Sequence, residues 1–471
     1  MDSARLMNKS PNVLVILSDQ LRRQALGVYG DPEARTPHVD RLAAEGVRFA
    51  QACATSPICV PFRFTLMTGE YAHTRKVPGI EYAMSPAERT LADEFNEAGY
   101  ETIYVGKWHL DGGHGRLGSA AQVNRTRVPR SRQGRWQTWQ GFELRNDPLD
   151  TWIFENDDPV PKKLAGYQTD ALFDRGMECL RRRRGDRPFC LVISVEPPHD
   201  PFVAPPDLQA AWEAREISLP PNFAMEDAGE RERVIRNRKR YAAMVENLDA
   251  NIGRMRDFLD ETGLAKNTVT VFLSDHGELG GAHGLEEKQW PYEESVGIPL
   301  IVHDPRHSER AGRVIEDPTC TEDLFPTLLG LAGLRPKNTL PGADLTPLIH
   351  GKVDRLAREG VMLEFVAELR PERVFSNEPW RAFRTRRFKY TVKGNNLGGT
   401  PWQFFDLATD PFELNNLVDA PEHAAEIARH HDLLRDRILE TQDHFVLLPA
   451  FGRKGANCWM DHAATIGDSS L

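Results

Sequence analysis

A cysteine followed two residues on by a proline and four on by an arginine, Cys59-Val-Pro61-Phe-Arg63, fits none of the common cysteine patterns. No partner stands at the CxxC spacing of zinc or redox sites. Pro61 keeps a helix from starting upstream of it. The stretch from Thr55 to Tyr71 therefore predicts a helix opening just after Pro61, whose free N–H groups point back at position 59 together with Arg63. Such a positively polarised socket suits an anionic nucleophile or an anionic ligand. A buried free cysteine is the other reading.

Two distant segments end in Ser-Asp. Asn12 to Leu17 runs into Ser18-Asp19-Gln20, and Asn267 to Leu273 runs into Ser274-Asp275-His276-Gly277-Glu278. Each is a short, unalternating apolar run, the pattern of a strand buried on both faces. Open α/β sheets gather ligands at the carboxyl ends of their strands. Carboxylates brought together there stay ionised only around a cation, so Asp19 and Asp275 are candidate ligands; a helix N-cap is the alternative for Asp19. Lys107 and His109 follow the run Tyr100 to Val105 and, two residues apart, face one side of an extended segment. His199 stands between prolines in Glu196-Pro-Pro-His-Asp-Pro201, just past the strand expected over Arg187 to Val195.

The elements that must position these side chains alternate strand and helix, the mark of an α/β sheet. Thr36-Pro37 opens one helix, and Leu91 to Ala98 forms another, closed by Gly99. Arg231 to Leu264 predicts a long helix with core residues at helical spacing, among them Tyr241, Leu248 and Ile252. A strand over Ile298 to His303 and a helix over Glu322 to Ala332 follow. From about Arg381 the texture changes: Trp380 to Val392 alternates basic and apolar residues, as an antiparallel pair does, and Glu422 to Glu440 closes as a helix. These shifts divide the chain into residues 1–375, a catalytic α/β domain, and 376–471, a smaller subdomain whose tail after Thr441 matches no known pattern. Between Gly112 and Gly141 six arginines (Arg116, Arg125, Arg127, Arg130, Arg132 and Arg135) form either a solvated loop or a basic lip that attracts a polyanionic substrate.

Composition excludes some function classes. The chain has 471 residues, ample for a large core, and a formal net charge of −10, which argues against a nucleic-acid partner. Six scattered cysteines form no disulfide framework. The apolar run Val13 to Leu17 is too short for a signal core or a membrane span, so a cytoplasmic protein without a membrane partner is expected.

Cys59-Val-Pro-Phe-Arg-Phe-Thr-Leu-Met-Thr-Gly69 resembles the signature of the type I, formylglycine-dependent sulfatases of the alkaline phosphatase superfamily, although that family usually has Ser or Ala at the position of Phe62. Gly106-Lys-Trp-His109, the two Ser-Asp segments and Asp406-Leu-x-x-Asp-Pro-x-Glu-x-x-Asn-Leu417 resemble it too, in family order over nearly the whole chain. The resemblance implies an α/β fold with a large mixed, mostly parallel sheet sandwiched by helices and a small C-terminal α+β subdomain containing an antiparallel sheet. It implies hydrolysis of an organic sulfate monoester, a carbohydrate or aryl sulfate, after a formylglycine-generating enzyme has oxidised Cys59. By the same match Asp19, Gln20, Asp275 and His276, with position 59, hold one divalent cation. Arg63, Lys107, His109 and Lys288 grip the sulfate and the nucleophile, and His199 protonates the departing alcohol. Gln20 and His276 replace the acidic and amide ligands common in sulfatases. Ca²⁺ is therefore expected with Mn²⁺ as the alternative, and the related phosphonate monoester hydrolases, which share this Asp-Gln and Asp-His pairing, are the rival reading. An anion-binding protein with unmodified Cys59 is the rival of another class.

Overall fold

The computed structural model describes residues 10–77, 79–113, 125–144, 147–367, 375, 378–395 and 398–447. Its centre is β1 (Asn12–Ser18), where alternate side chains enter opposite cores. Val13, Val15 and Leu17 join one cluster, and Leu14 and Ile16 join the other. Burial on both faces is why the run shows no polar alternation. Each buried aliphatic side chain contributes on the order of 1.5–3 kcal/mol.

Around β1 the sheet collects β2 (Val47–Phe49), β3 (Glu101–Lys107), β4 (Thr138–Phe142), β5 (Trp152–Glu155) and β6 (Lys162–Lys163). It is completed by β7 (Phe189–Val195), β8 (Thr268–Ser274), β9 (Leu300–His303) and β10 (Arg313–Ile315). The ten strands lie in the order β10-β2-β9-β8-β1-β7-β3-β4-β5-β6. The block β8-β1-β7-β3-β4 is parallel, with antiparallel pairs at β8/β9, β9/β2, β4/β5 and β5/β6.

Helices cover both faces. On one side lie α1 (Pro37–Glu45), α4 (Gln168–Arg182) and α5 (Ala228–Glu261); on the other lie α2 (Cys59–Thr68), α3 (Leu91–Glu97) and α6 (Leu324–Leu331). The helix α2 starts at Cys59 itself, two residues before Pro61. The first turn of a helix has no intrahelical partners for its N–H groups, so a proline there removes nothing.

A second sheet, antiparallel in the order β11 (Gly360–Phe365), β12 (Trp380–Thr385), β13 (Phe388–Asn395) and β14 (Gly398–Asp406), packs under α7 (Ala424–Glu440). Its core joins Met362, Tyr390 and Phe404 to Ile427, Leu434 and Ile438. The strand β11 belongs to this sheet although it precedes position 376. Buried ion pairs tie the sheet to the larger one: Arg384 lies 3.1 Å from Glu293, and Lys389 lies 3.2 Å from Glu293 and 2.6 Å from Glu413. Of the tail, Leu447 pairs with Gly399 and Asp443 takes Arg381; residues 448–471 lie outside the described ones. No helix among the described residues is long and apolar enough to cross a membrane.

Candidate active site

Strand register builds the site. Ser18 is paired with Ser274 across β1/β8 and with Val195 across β1/β7, so Asp19, Asp275 and Glu196 leave the sheet side by side. At the end of β3 Gly106 is paired with Ser194, and a Cβ at Gly106 would stand 2.0 Å from the Ser194 carbonyl oxygen. Only glycine allows that approach, which carries Lys107 to the same edge. Gly277 serves the same purpose after β8, since a Cβ there would meet the Glu294 carbonyl oxygen at 1.9 Å.

The opening residue of α2 faces this edge. Cys59 Sγ lies 3.1 Å from His276 Nε2 and 3.6 Å from Asp19 Oδ1. One turn along α2, Arg63 donates to Asp19 Oδ2 and Asp275 Oδ2, both at 3.1 Å, to Ser194 Oγ at 2.8 Å and to the Lys107 carbonyl at 2.9 Å. Lys107 Nζ sits 2.6 Å from Asp19 Oδ2. Burial alone would raise the Asp19 carboxyl, but Lys107, His199, Arg63 and His276 hold it well below the usual carboxylate range. Lys107 is buried, which disfavours its charge, yet Asp19, Cys59 and Glu196 keep its proton affinity above the ordinary lysine value.

With both Oδ2 atoms taken by Arg63, the Oδ1 atoms turn the other way, toward His276 Nε2 at 3.5 Å from Asp19 and 3.6 Å from Asp275. His276 Nδ1 donates to the Gly277 carbonyl at 3.0 Å, and burial keeps the imidazole below its ordinary pKa against the pull of Asp275. A neutral ring with a proton on Nδ1 presents a lone pair at Nε2. Three acceptor atoms and the Cys59 sulfur thus converge, with ligand atoms within 4.8 Å of one another and every residue buried. Acceptors aimed at acceptors in a dry site call for a cation between them, and the His–carbonyl bond is the usual orienting partner of a ligating imidazole. The donor set fits a divalent ion.

Known proteins point the same way. The sequence profile of the sulfatase family matches residues 11–334. The chain belongs to the sulfatase family. A second profile, for the C-terminal part of N-sulphoglucosamine sulphohydrolase, matches residues 281–442. An ulvan-active sulfatase of Formosa agariphila is 32% identical, over 92% of this chain and 82% of its own. The crystal structure of YidJ from Bacteroides fragilis has a TM-score of 0.82 at 26% identity, covering 93% of this chain and 97% of that one. A further structure, solved with its substrate D-glucosamine-2-N,6-O-disulfate, has a TM-score of 0.80 at 23% identity, covering 95% of this chain and all of the other.

In this sulfatase Asp19, Cys59, Arg63, Lys107, Asp275 and His276 form one bonded unit. Gln20, in the left-handed region at φ 63, donates its backbone N–H to Asp275 Oδ1 at 3.0 Å while its side chain bridges Lys288, at 2.6 Å, and Glu278. Lys288 Nζ also lies 2.9 Å from His199 Nε2, and His199 Nδ1 donates to the Asp200 carbonyl at 2.7 Å. Burial and Lys288 push the His199 imidazole down, but Asp19 and hydrogen bonds from Asp200 and Cys59 outweigh them and bring its pKa to about 9. His109 is buried two residues beyond Lys107 in left-handed backbone, φ 55. Ser194, Glu196 and Glu278 were not expected as participants. The strand-tip rule that singled out Asp19 applies equally to Ser194 and Glu196 on β7. Of the arginines after Gly112, Arg132 pairs with Asp111 at 3.4 Å, Arg127 with Asp157 at 3.9 Å, Arg125 with Asp150 at 4.0 Å and Arg135 with Asp93, while Arg130 donates to Gln133 Oε1 at 2.9 Å. Arg116 lies outside the described residues.

Proposed function

We propose that this sulfatase hydrolyses a sulfated saccharide, with Asp19, Gln20, Asp275 and His276 holding a divalent cation beside a formylglycine made from Cys59. The observation that carries this is the convergence of two carboxylate oxygens, an imidazole nitrogen and the Cys59 side chain on one buried point, with Arg63 and Lys107 behind it. When both are in place, the hydrated aldehyde supplies a gem-diol nucleophile and the cation, Ca²⁺ or Mn²⁺, supplies charge for the sulfate oxygens. Arg63 fixes the two carboxylates, and Lys107, with His109 and Lys288, offsets the negative charge of the sulfuryl group. His199, held through Nδ1 by Asp200, delivers a proton from Nε2 to the departing alcohol oxygen. A saccharide substrate is supported by the ulvan-active relative and by the neighbour solved with a glucosamine disulfate.

The formylglycine-generating enzyme is the partner this reading needs. Its recognition residues Cys59, Pro61 and Arg63 lie in α2, every residue of which is buried, so conversion belongs to the chain before it folds. Mass spectrometry of the peptide spanning Cys59, from the native host, tests this; an unmodified thiol throughout would favour an anion-binding protein instead. Gln20 and His276 favour one second reading, a phosphonate monoester hydrolase. Turnover of an aryl sulfate against an aryl phosphonate monoester separates the two, and faster phosphonate cleavage overturns the sulfatase assignment of this site.

A further inference from the structure

The side chain of Gln20 has a direction that its neighbours dictate. An amide fits its density either way round, but here a carboxylate stands on one side and an ammonium on the other. The Glu278 carboxylate accepts from Nε2, and Lys288 Nζ donates to Oε1 at 2.6 Å. Gln20 is fully buried and Glu278 is buried beside it. The amide oxygen therefore faces Lys288.

Glu278 reaches the same lysine from its other end. Its Oε1 accepts the backbone N–H of Glu287, the residue before Lys288, at 2.9 Å, and that of Gly280 at 2.7 Å. Glu287 stands in left-handed backbone, φ 65, a conformation that a non-glycine residue keeps only when its surroundings hold it. One carboxylate thus fixes the backbone next to Lys288 with one oxygen and, through Gln20, the ammonium with the other. Between these two holds Lys288 Nζ comes to lie 2.9 Å from His199 Nε2.

We propose that Glu278 is a positioning residue, which aims the Lys288 ammonium by fixing the direction of the Gln20 amide, resting on the reading above that Lys288 offsets the charge of the sulfuryl group. In Glu278→Gln the N–H groups of Gly280 and Glu287 keep the new amide oxygen, so the new NH2 faces Gln20. Gln20 must then turn its own oxygen to that NH2 and its NH2 to Lys288, donor against donor. Adding Gln20→Glu restores an acceptor at both contacts with the net charge of the parent. Aryl sulfate turnover by metal-saturated protein tests this. In Glu278→Gln kcat/KM falls at least about thirtyfold, and the double variant regains at least about tenfold. In a Lys288→Ala background Glu278→Gln costs less than about threefold, whereas a merely structural part for Glu278 costs as much there as in the parent. A double variant no better than Glu278→Gln, or the full cost in the Lys288→Ala background, overturns the proposal. Should Glu278→Gln fail to fold, the double variant against the parent decides: kcat/KM within about tenfold supports it, and a larger loss overturns it. Should the parent not cleave sulfates, the reading of the site fails by itself, and crystal structures of the parent and of Glu278→Gln still decide. Lys288 Nζ out of hydrogen-bond reach of Gln20 in the variant supports the positioning role, and an unmoved Lys288 overturns it.

Discussion

Arg63 is the residue on which the buried charges of this sulfatase balance, because one guanidinium spans both strand-tip carboxylates. In metal-free protein Arg63→Met is expected to cost about 3–5 kcal/mol, since it leaves two buried carboxylates facing each other. Added dication should recover part of that loss. Denaturant unfolding with and without metal checks this, and a metal-free variant as stable as the parent would refute it. His199 sets a second expectation. Its imidazole must be protonated to serve the leaving group, so with a pKa of about 9 activity is present below that pH and declines above it. A bound dication offsets the Asp19 charge and draws this limb lower. The kcat/KM profile should therefore fall on the alkaline side for alkyl and sugar sulfates, and far less for aryl sulfates whose phenolate leaves unaided. An identical alkaline limb for both substrate classes would remove His199 from the acid role.

The helix α2 and the turn that feeds it depend on Glu322, which is fully buried and accepts the Thr55 hydroxyl at 2.5 Å. Burial raises its carboxyl from 4.5 to about 7, even against the Thr55 bond. The folded-state value lies above the unfolded one, so the group favours folding below about pH 4.5 and that contribution disappears as pH rises through 7. Glu322→Gln keeps an acceptor for Thr55 and carries no charge. Its stability relative to the parent should grow between pH 6 and pH 9 by on the order of 1–3 kcal/mol. A difference that stays flat with pH would show that the fold does not raise the Glu322 carboxyl.

At the scale of the whole molecule, the small sheet is bolted to the large one through Lys389, between Glu293 and Glu413. Burial pushes Glu413 up to about 7, while Arg384, Lys389 and Arg23 hold Glu293 well below its ordinary range despite burial. Lys389→Met removes the shared cation from a buried triad and should lower stability by roughly 3–5 kcal/mol. Scanning calorimetry reads this as a drop in Tm, and if the two sheets come apart, as a second transition. An unchanged single transition would mean that the apolar contacts alone join them.

The sequence by itself determined the strands that end at Asp19 and Asp275, because a run apolar on both faces is a local property, legible without knowing its neighbours. It also determined the antiparallel texture after Trp380 and the candidates Cys59, Arg63 and Lys107, which sit in short segments with their own chemistry. It placed the start of α2 three residues late, after Pro61 and not at Cys59, since a proline in the first turn reads locally as a boundary though it costs the helix nothing there. Only the tertiary structure decided that Arg63 grips both carboxylates across 44 and 212 residues of chain, and that Ser194 lies within its reach. It also paired Arg132 with Asp111 and Arg135 with Asp93. Ion pairs depend on distances between elements far apart in the chain, and side-chain periodicity along any one element carries no record of them.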